Sequence, residues 1–317
     1  MRKSVQPVFL AFVVLVVLLS GCAPASTPVP ATSIPTPTPS PIPPTSTPEP
    51  TVTATTIPSP TPLPGLVVLP VDTLGKSNPW LPLDKTARPG VSYVGFNTLK
   101  PPFNSPFVRQ AFAHAIDRDV LVEMAIKYKS KNPVHATTLT PPETLGRDLY
   151  GEVGAMFDPQ MAKELLTKAG YSDTSAFPKV VFLVSASGDT APGARFNIAN
   201  AMADMWQTHL GVTVEVQAIQ SFSDYNNRLE SNTPDLFWMG WAADYNDPDN
   251  FLNMLFHSGS EYNYGSFSSP EFDQLVDSAS GSSDPTERQE LYMQAERLLC
   301  ETEAALIPLY HVKYNLP

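Results

Sequence analysis

Read for hydrophobic period, the chain changes character along its length. Residues 8–19 form an unbroken apolar run, and residues 23–64 show no period at all. Beyond residue 92, stretches with strand and helix periods alternate, separated by Gly-, Pro- and Asp-rich turns. Strands are predicted over residues 93–98, 180–184, 212–219, 236–239 and 306–310. In 212–219 the alternation of Val212, Val214, Val216 and Ala218 predicts a half-buried strand. Helices are predicted over 107–127, 158–170, 194–210, 222–229, 248–256, 270–278 and 284–303. The first carries Val108, Ala111, Phe112, Ala115 and Ile116 on one face. The second opens with Asp158 as N-cap and Pro159 in the first turn, and Gly170 closes it. Gly211 stops the helix that starts at Ala194. Strands separated by helices predict an α/β layer structure.

The ends are not globular. Residues 1–22 read as a secretory signal, with Arg2 and Lys3 ahead of an apolar run too short to span a bilayer. Leu19-Ser20-Gly21-Cys22 matches a bacterial lipobox, which makes Cys22 the lipid-attachment residue and places the protein at the cell membrane, facing the exterior or periplasm. Residues 23–64 are almost entirely Pro, Thr, Ser and Ala and read as a disordered tether. As polyproline II, some 40 residues reach on the order of 120 Å at about 3.1 Å each. Residues 65–92 are a weakly patterned lead-in with four prolines. With Cys22 lipidated, Cys300 stands alone, so no internal disulfide is expected, and its place beside Leu298 and Leu299 reads as core. Removing Arg2 and Lys3 with the signal takes the formal charge from −11 to −13. That balance argues against nucleic acid and favours cationic ligands.

Trp241 and Asp244 lie in Gly240-Trp241-Ala242-Ala243-Asp244. A carboxylate beside an indole suits an ammonium group, through a charge-assisted hydrogen bond and an apolar or cation–π wall. The same spacing equally suits Asp244 as cap of the helix near Pro248, with Trp241 in the core. Tyr245, Tyr262 and Tyr264 flank this region as candidate cleft walls, whereas Phe237 and Trp238 read as core. The run from Asp244 to Asn250 does not fit an EF-hand loop: position six is Asp249 and position twelve Leu255, so turn chemistry explains it. The five histidines form no metal-ligand spacing, and His114 reads as structural. No Gly-x-Ser-x-Gly elbow or phosphate-binding glycine loop occurs, so neither an enzyme nor a cofactor is expected. Arg109 and Asp117 are expected to make local surface or hinge contacts.

Segments in a fixed order carry a resemblance. They are YVGFNTLKPPFN at 93–104, running into VRQAFAHAIDR at 108–118, DPQMAKELLTKAGY at 158–171, GWAADYNDPDNF at 240–251, and RQELYMQAERLL at 288–299 followed by IPLY at 307–310. Together they resemble extracellular solute-binding protein family 5, the oligopeptide- and dipeptide-binding receptors of ABC transporters. The resemblance implies a periplasmic-binding-protein-like type II lobe, a mixed sheet flanked by helices, over residues 93–317. It implies that Asp244 grips a ligand's amine, with Trp241 as pocket wall and Tyr245 as a further ligand-binding residue, and it gives Asn263 a lesser part. It also implies a peptide or similar small-molecule ligand and ABC permease subunits as partners. Family members carry a further lobe before this stretch, so a partial receptor is expected, completed by a separate chain. The rival expectation is a surface-tethered interaction or sensor module without transport activity.

Overall fold

The computed structural model describes residues 88–189 and 191–314. All of them belong to the second of two units, Leu66–Pro317. The signal, Cys22, the tether and most of the lead-in lie outside the described residues.

The strands are β1 (Arg88–Phe96), β2 (Val134–His135), β3 (Val180–Ser185), β4 (Val214–Ile219), β5 (Leu236–Ala242) and β6 (Leu306–Tyr314). They form one mixed sheet in the order β2-β6-β1-β5-β3-β4. β1 runs antiparallel to both β5 and β6, whereas β3 runs parallel to β4 and β5. The helices are α1 (Pro106–His114), α2 (Arg118–Lys127), α3 (Pro142–Leu145), α4 (Pro159–Lys168), α5 (Ala194–Leu210), α6 (Phe222–Ser231), α7 (Leu252–Phe256), α8 (Pro270–Gly281) and α9 (Pro285–Arg297).

Strand alternation sorts the core into faces. Val94, Phe96, Leu236 and Trp238 join α1, α2, α4 and α5 in one cluster. Val91, Tyr93 and Trp241 point the other way, towards α7, α8 and α9. In β6, Leu309 is the extra residue of a bulge: Ser92 faces Tyr310 while Tyr93 faces Pro308. The bulge lets Ile307, Leu309, Tyr310 and Val312 all reach the first cluster. There Trp206 is fully buried against Phe112 and Phe182, and its Nε1 donates to the Phe112 carbonyl at 2.9 Å.

Several elements differ from the sequence expectation. The single helix over 107–127 is two, because Asp117 caps α2 by accepting from the Asp119 amide at 3.0 Å. That break lets Arg118 turn inward, where Nε and Nη1 donate to the carbonyls of Pro308 and Ala155, each at 2.8 Å. Arg109 is buried rather than superficial; it donates to the carbonyls of Phe103 and Glu303 and pairs with the Glu303 carboxylate at 3.1 Å. The predicted helix over 284–303 ends at Arg297 and widens into a π turn, Leu298–Thr302. β1 begins at Arg88, inside the stretch read as lead-in, because β5 and β6 supply ladder partners to both its edges. β2 and α3 went unpredicted; β2 has two residues, and α3 is one turn between Pro142 and Gly146. Elsewhere the cues hold: Asp158 caps α4, and Gly170 and Gly211 take positive φ. Cys300 is buried, with Sγ 3.4 Å from the Glu296 carboxylate.

Candidate functional site

The site grows from the end of β5. That strand extends past the predicted 236–239 to Ala242, with Trp241 opposite Val91 and Ala242 opposite Gly90. The ladder continues one step further, since the Ala243 amide donates to the Pro89 carbonyl at 2.9 Å. The chain then leaves the sheet at Asp244 and turns through Tyr245, Asn246 and Asp247 into a 3-10 turn, Pro248–Asn250.

Asn250 organises this corner. Its side chain is fully buried, and one oxygen, Oδ1, accepts from Trp241 Nε1 at 2.9 Å and from the Asp244 amide at 3.0 Å. The indole plane and the Asp244 main chain are therefore fixed by the same atom. Trp241 is half-buried and meets Tyr262 edge-to-face at 5.3 Å. The Asp244 carboxylate stays at the surface, its side chain 56% exposed, and pairs with Arg88 Nη1 at 3.4 Å. The capping alternative for Asp244 does not hold: Asp247 caps the 3-10 turn, accepting from the Asp249 amide at 2.9 Å and from Arg288 Nη2 at 2.7 Å. Tyr245 donates its hydroxyl to Asp249 at 2.7 Å, and burial with that neighbouring carboxylate pushes its pKa up to about 12.

Trp241 at the end of β5 and Asp244 and Tyr245 in the turn after it thus share one corner, with Tyr262 reaching it from a neighbouring loop. Beside it lies an open depression of about 440 Å³, lined by Asn253, Met254, His257, Gly259, Ser260, Glu261 and Tyr262. Asn263 faces inward instead: its amide donates to the Phe267 carbonyl at 2.7 Å and accepts from the Phe267 amide at 3.0 Å, which makes it a loop staple. Phe237 and Trp238 are core residues, and His114 is a structural one that bonds the Met156 carbonyl at 2.7 Å. Among the described residues, no three His, Cys, Asp or Glu side chains are placed to hold a metal ion. Sequence reading missed Asn250 and Arg88. Asn250 hid in an Asp/Asn-rich run that turn chemistry already explains. Arg88 lies 156 residues from Asp244.

A mixed sheet with helices on both faces, carrying a carboxylate-and-indole corner at one strand end, is a periplasmic-binding-protein-like lobe. The family model for bacterial extracellular solute-binding proteins, family 5 (middle region), matches residues 62–263, starting ahead of the motif at Tyr93. The chain belongs to that family, whose members bind solutes and are not enzymes. It is 32% identical over 249 residues to the periplasmic oligopeptide-binding protein OppA of Salmonella typhimurium, covering 77% of this chain and 44% of that protein. It is 30% identical over 241 residues to heme-binding protein A of Haemophilus influenzae, covering 74% and 42%. The solved structure of the Escherichia coli murein tripeptide binding protein MppA superposes with a TM-score of 0.63 at 29% identity, covering 73% and 44%. The chain therefore spans less than half the length of the relatives it matches.

Proposed function

We propose that the chain is a substrate-binding component of an ABC importer for peptides or similar small solutes, held to the membrane through lipid on Cys22. In this reading Asp244 grips the free amine of the solute, Trp241 is the adjoining wall and Tyr245 braces the turn. A permease receives the solute, and a second lobe, here expected from a separate chain, closes the other side. The observation that carries the reading is the Asp244 carboxylate standing exposed while one Asn250 oxygen holds both the Trp241 indole and the Asp244 main chain. Names of relatives support the ligand class: an oligopeptide binder in Salmonella and a murein tripeptide binder in E. coli. A wet half-site screens the carboxylate, so binding by this chain alone is weak. The test is titration with short peptides bearing free or acetylated amines, followed at the Trp241 indole by NMR. Free amines bind, acetylation removes binding, and Asp244→Asn costs about tenfold, the lower end for a charge-assisted hydrogen bond. Equal binding of free and acetylated peptides, or submicromolar affinity of the purified chain, overturns the reading.

A further inference from the structure

We infer that Arg88 is a specificity-determining residue of this corner, favouring solutes that present an ammonium and a carboxylate close together. The inference rests on the reading of Asp244 as amine anchor.

The sheet itself brings Arg88 to Asp244. In the β1–β5 ladder Val91 faces Trp241 and Gly90 faces Ala242, and the Ala243 amide bonds the Pro89 carbonyl at 2.9 Å. One more step along the same register sets Arg88 across from Asp244. Directly opposed cross-strand residues lie within side-chain reach. Main-chain hydrogen bonds, rather than two wandering surface chains, therefore hold a guanidinium at the proposed anchor.

The contact itself is slight. Nη1 meets Oδ1 at 3.4 Å, with the two side chains 32% and 56% exposed. Arg88 Nε is buried, out of a solute's reach, and has no acceptor among the described residues. The anchor is thus charge-compensated yet loosely held, and a solute meets the guanidinium through its terminal nitrogens. A solute offering only an amine competes with Arg88 for Asp244 and sits beside its cation. A solute with an adjacent carboxylate gives Arg88 a new acceptor, and the planar guanidinium fork suits a carboxylate well. Arg88 therefore opposes the first kind of solute and assists the second.

Alanine and alaninamide differ only in that carboxylate, so they are the probes, titrated against the full chain by NMR at the Trp241 indole. The native chain binds alanine more tightly than alaninamide. Arg88→Gln reverses the order, with alaninamide gaining and alanine losing about two- to fivefold, the scale of a partly exposed ion pair. Arg88→Lys keeps the native order, and circular dichroism checks that each variant folds. If Arg88→Gln shifts both ligands in one direction, or neither, the inference is overturned. Asp244→Asn separates the two readings. If it weakens alaninamide while Arg88→Gln is silent, only the role of Arg88 falls; if it changes neither ligand, the amine anchor falls as well.

Discussion

Replacing Asn250 by alanine removes one oxygen that serves two donors. Trp241 Nε1 and the Asp244 amide lose their shared acceptor, and a fully buried amide leaves a gap. A net hydrogen bond contributes about 0.5–1.5 kcal/mol, so two amount to about 1–3 kcal/mol. Both donors are only partly buried, so water recovers some of the loss, and a destabilisation of about 2 kcal/mol is expected. For a domain of this size that lowers Tm by about 4–8 °C. Urea unfolding followed by tryptophan fluorescence measures the stability. The Trp241 indole resonance measures the site, and it should shift and broaden as the ring loses its tether. Freed from Asn250, the Asp244 main chain also wanders, so amine binding weakens although Asn250 is not proposed to touch the ligand. A loss under about 0.5 kcal/mol with an unmoved indole resonance would show that Asn250 does not organise the corner.

Two buried titratable groups tilt stability with pH in opposite directions. His311 is buried, with Nε2 3.1 Å from the Thr138 carbonyl, and burial pulls its pKa from 6.5 to about 4. The fold resists the proton that the unfolded chain accepts, so stability falls as pH drops from about 6.5 towards 4, by about 3 kcal/mol in all. His311→Gln should flatten the urea midpoint across that window; an unchanged acid slope refutes the assignment. Glu296 is fully buried and accepts from the amides of Leu139 and Thr140 at 2.9 and 2.7 Å, yet burial still raises its pKa above 4.5. Here the fold retains a proton that the unfolded chain releases, so stability falls as pH rises from 4.5 through the folded value. Glu296→Gln should remove that decline, although its NH2 cannot replace one of the two accepting oxygens and lowers the midpoint overall; an unchanged decline with rising pH contradicts the assignment.

Much of the fold was legible because its cues are local. Asp158 before Pro159, the stops at Gly170 and Gly211, and the apolar face running to Leu210 are set by capping and side-chain period, which neighbours in sequence decide. The motif containing Trp241 and Asp244 was legible too, although two readings of its spacing stayed open. What stayed hidden depends on partners far along the chain. Pro89 and Gly90 look like strand breakers, but β5 and β6 hold them in β1. The helix over 107–127 has an unbroken apolar period, but Asp117 caps a second helix there, and the break sends Arg118 inward to the distant carbonyls of Pro308 and Ala155.

The sequence by itself therefore determined the layer architecture, the family and the residue types at the candidate site, since period, caps and ordered motifs need no knowledge of distant contacts. Tertiary structure alone decided that Asp247 rather than Asp244 is the cap, that Asn250 fixes both Trp241 and Asp244, and that Arg88 stands opposite the anchor. Those outcomes follow from strand register and from the direction of a single buried oxygen. Both are set when elements remote in sequence pack together, and a local pattern carries no record of either.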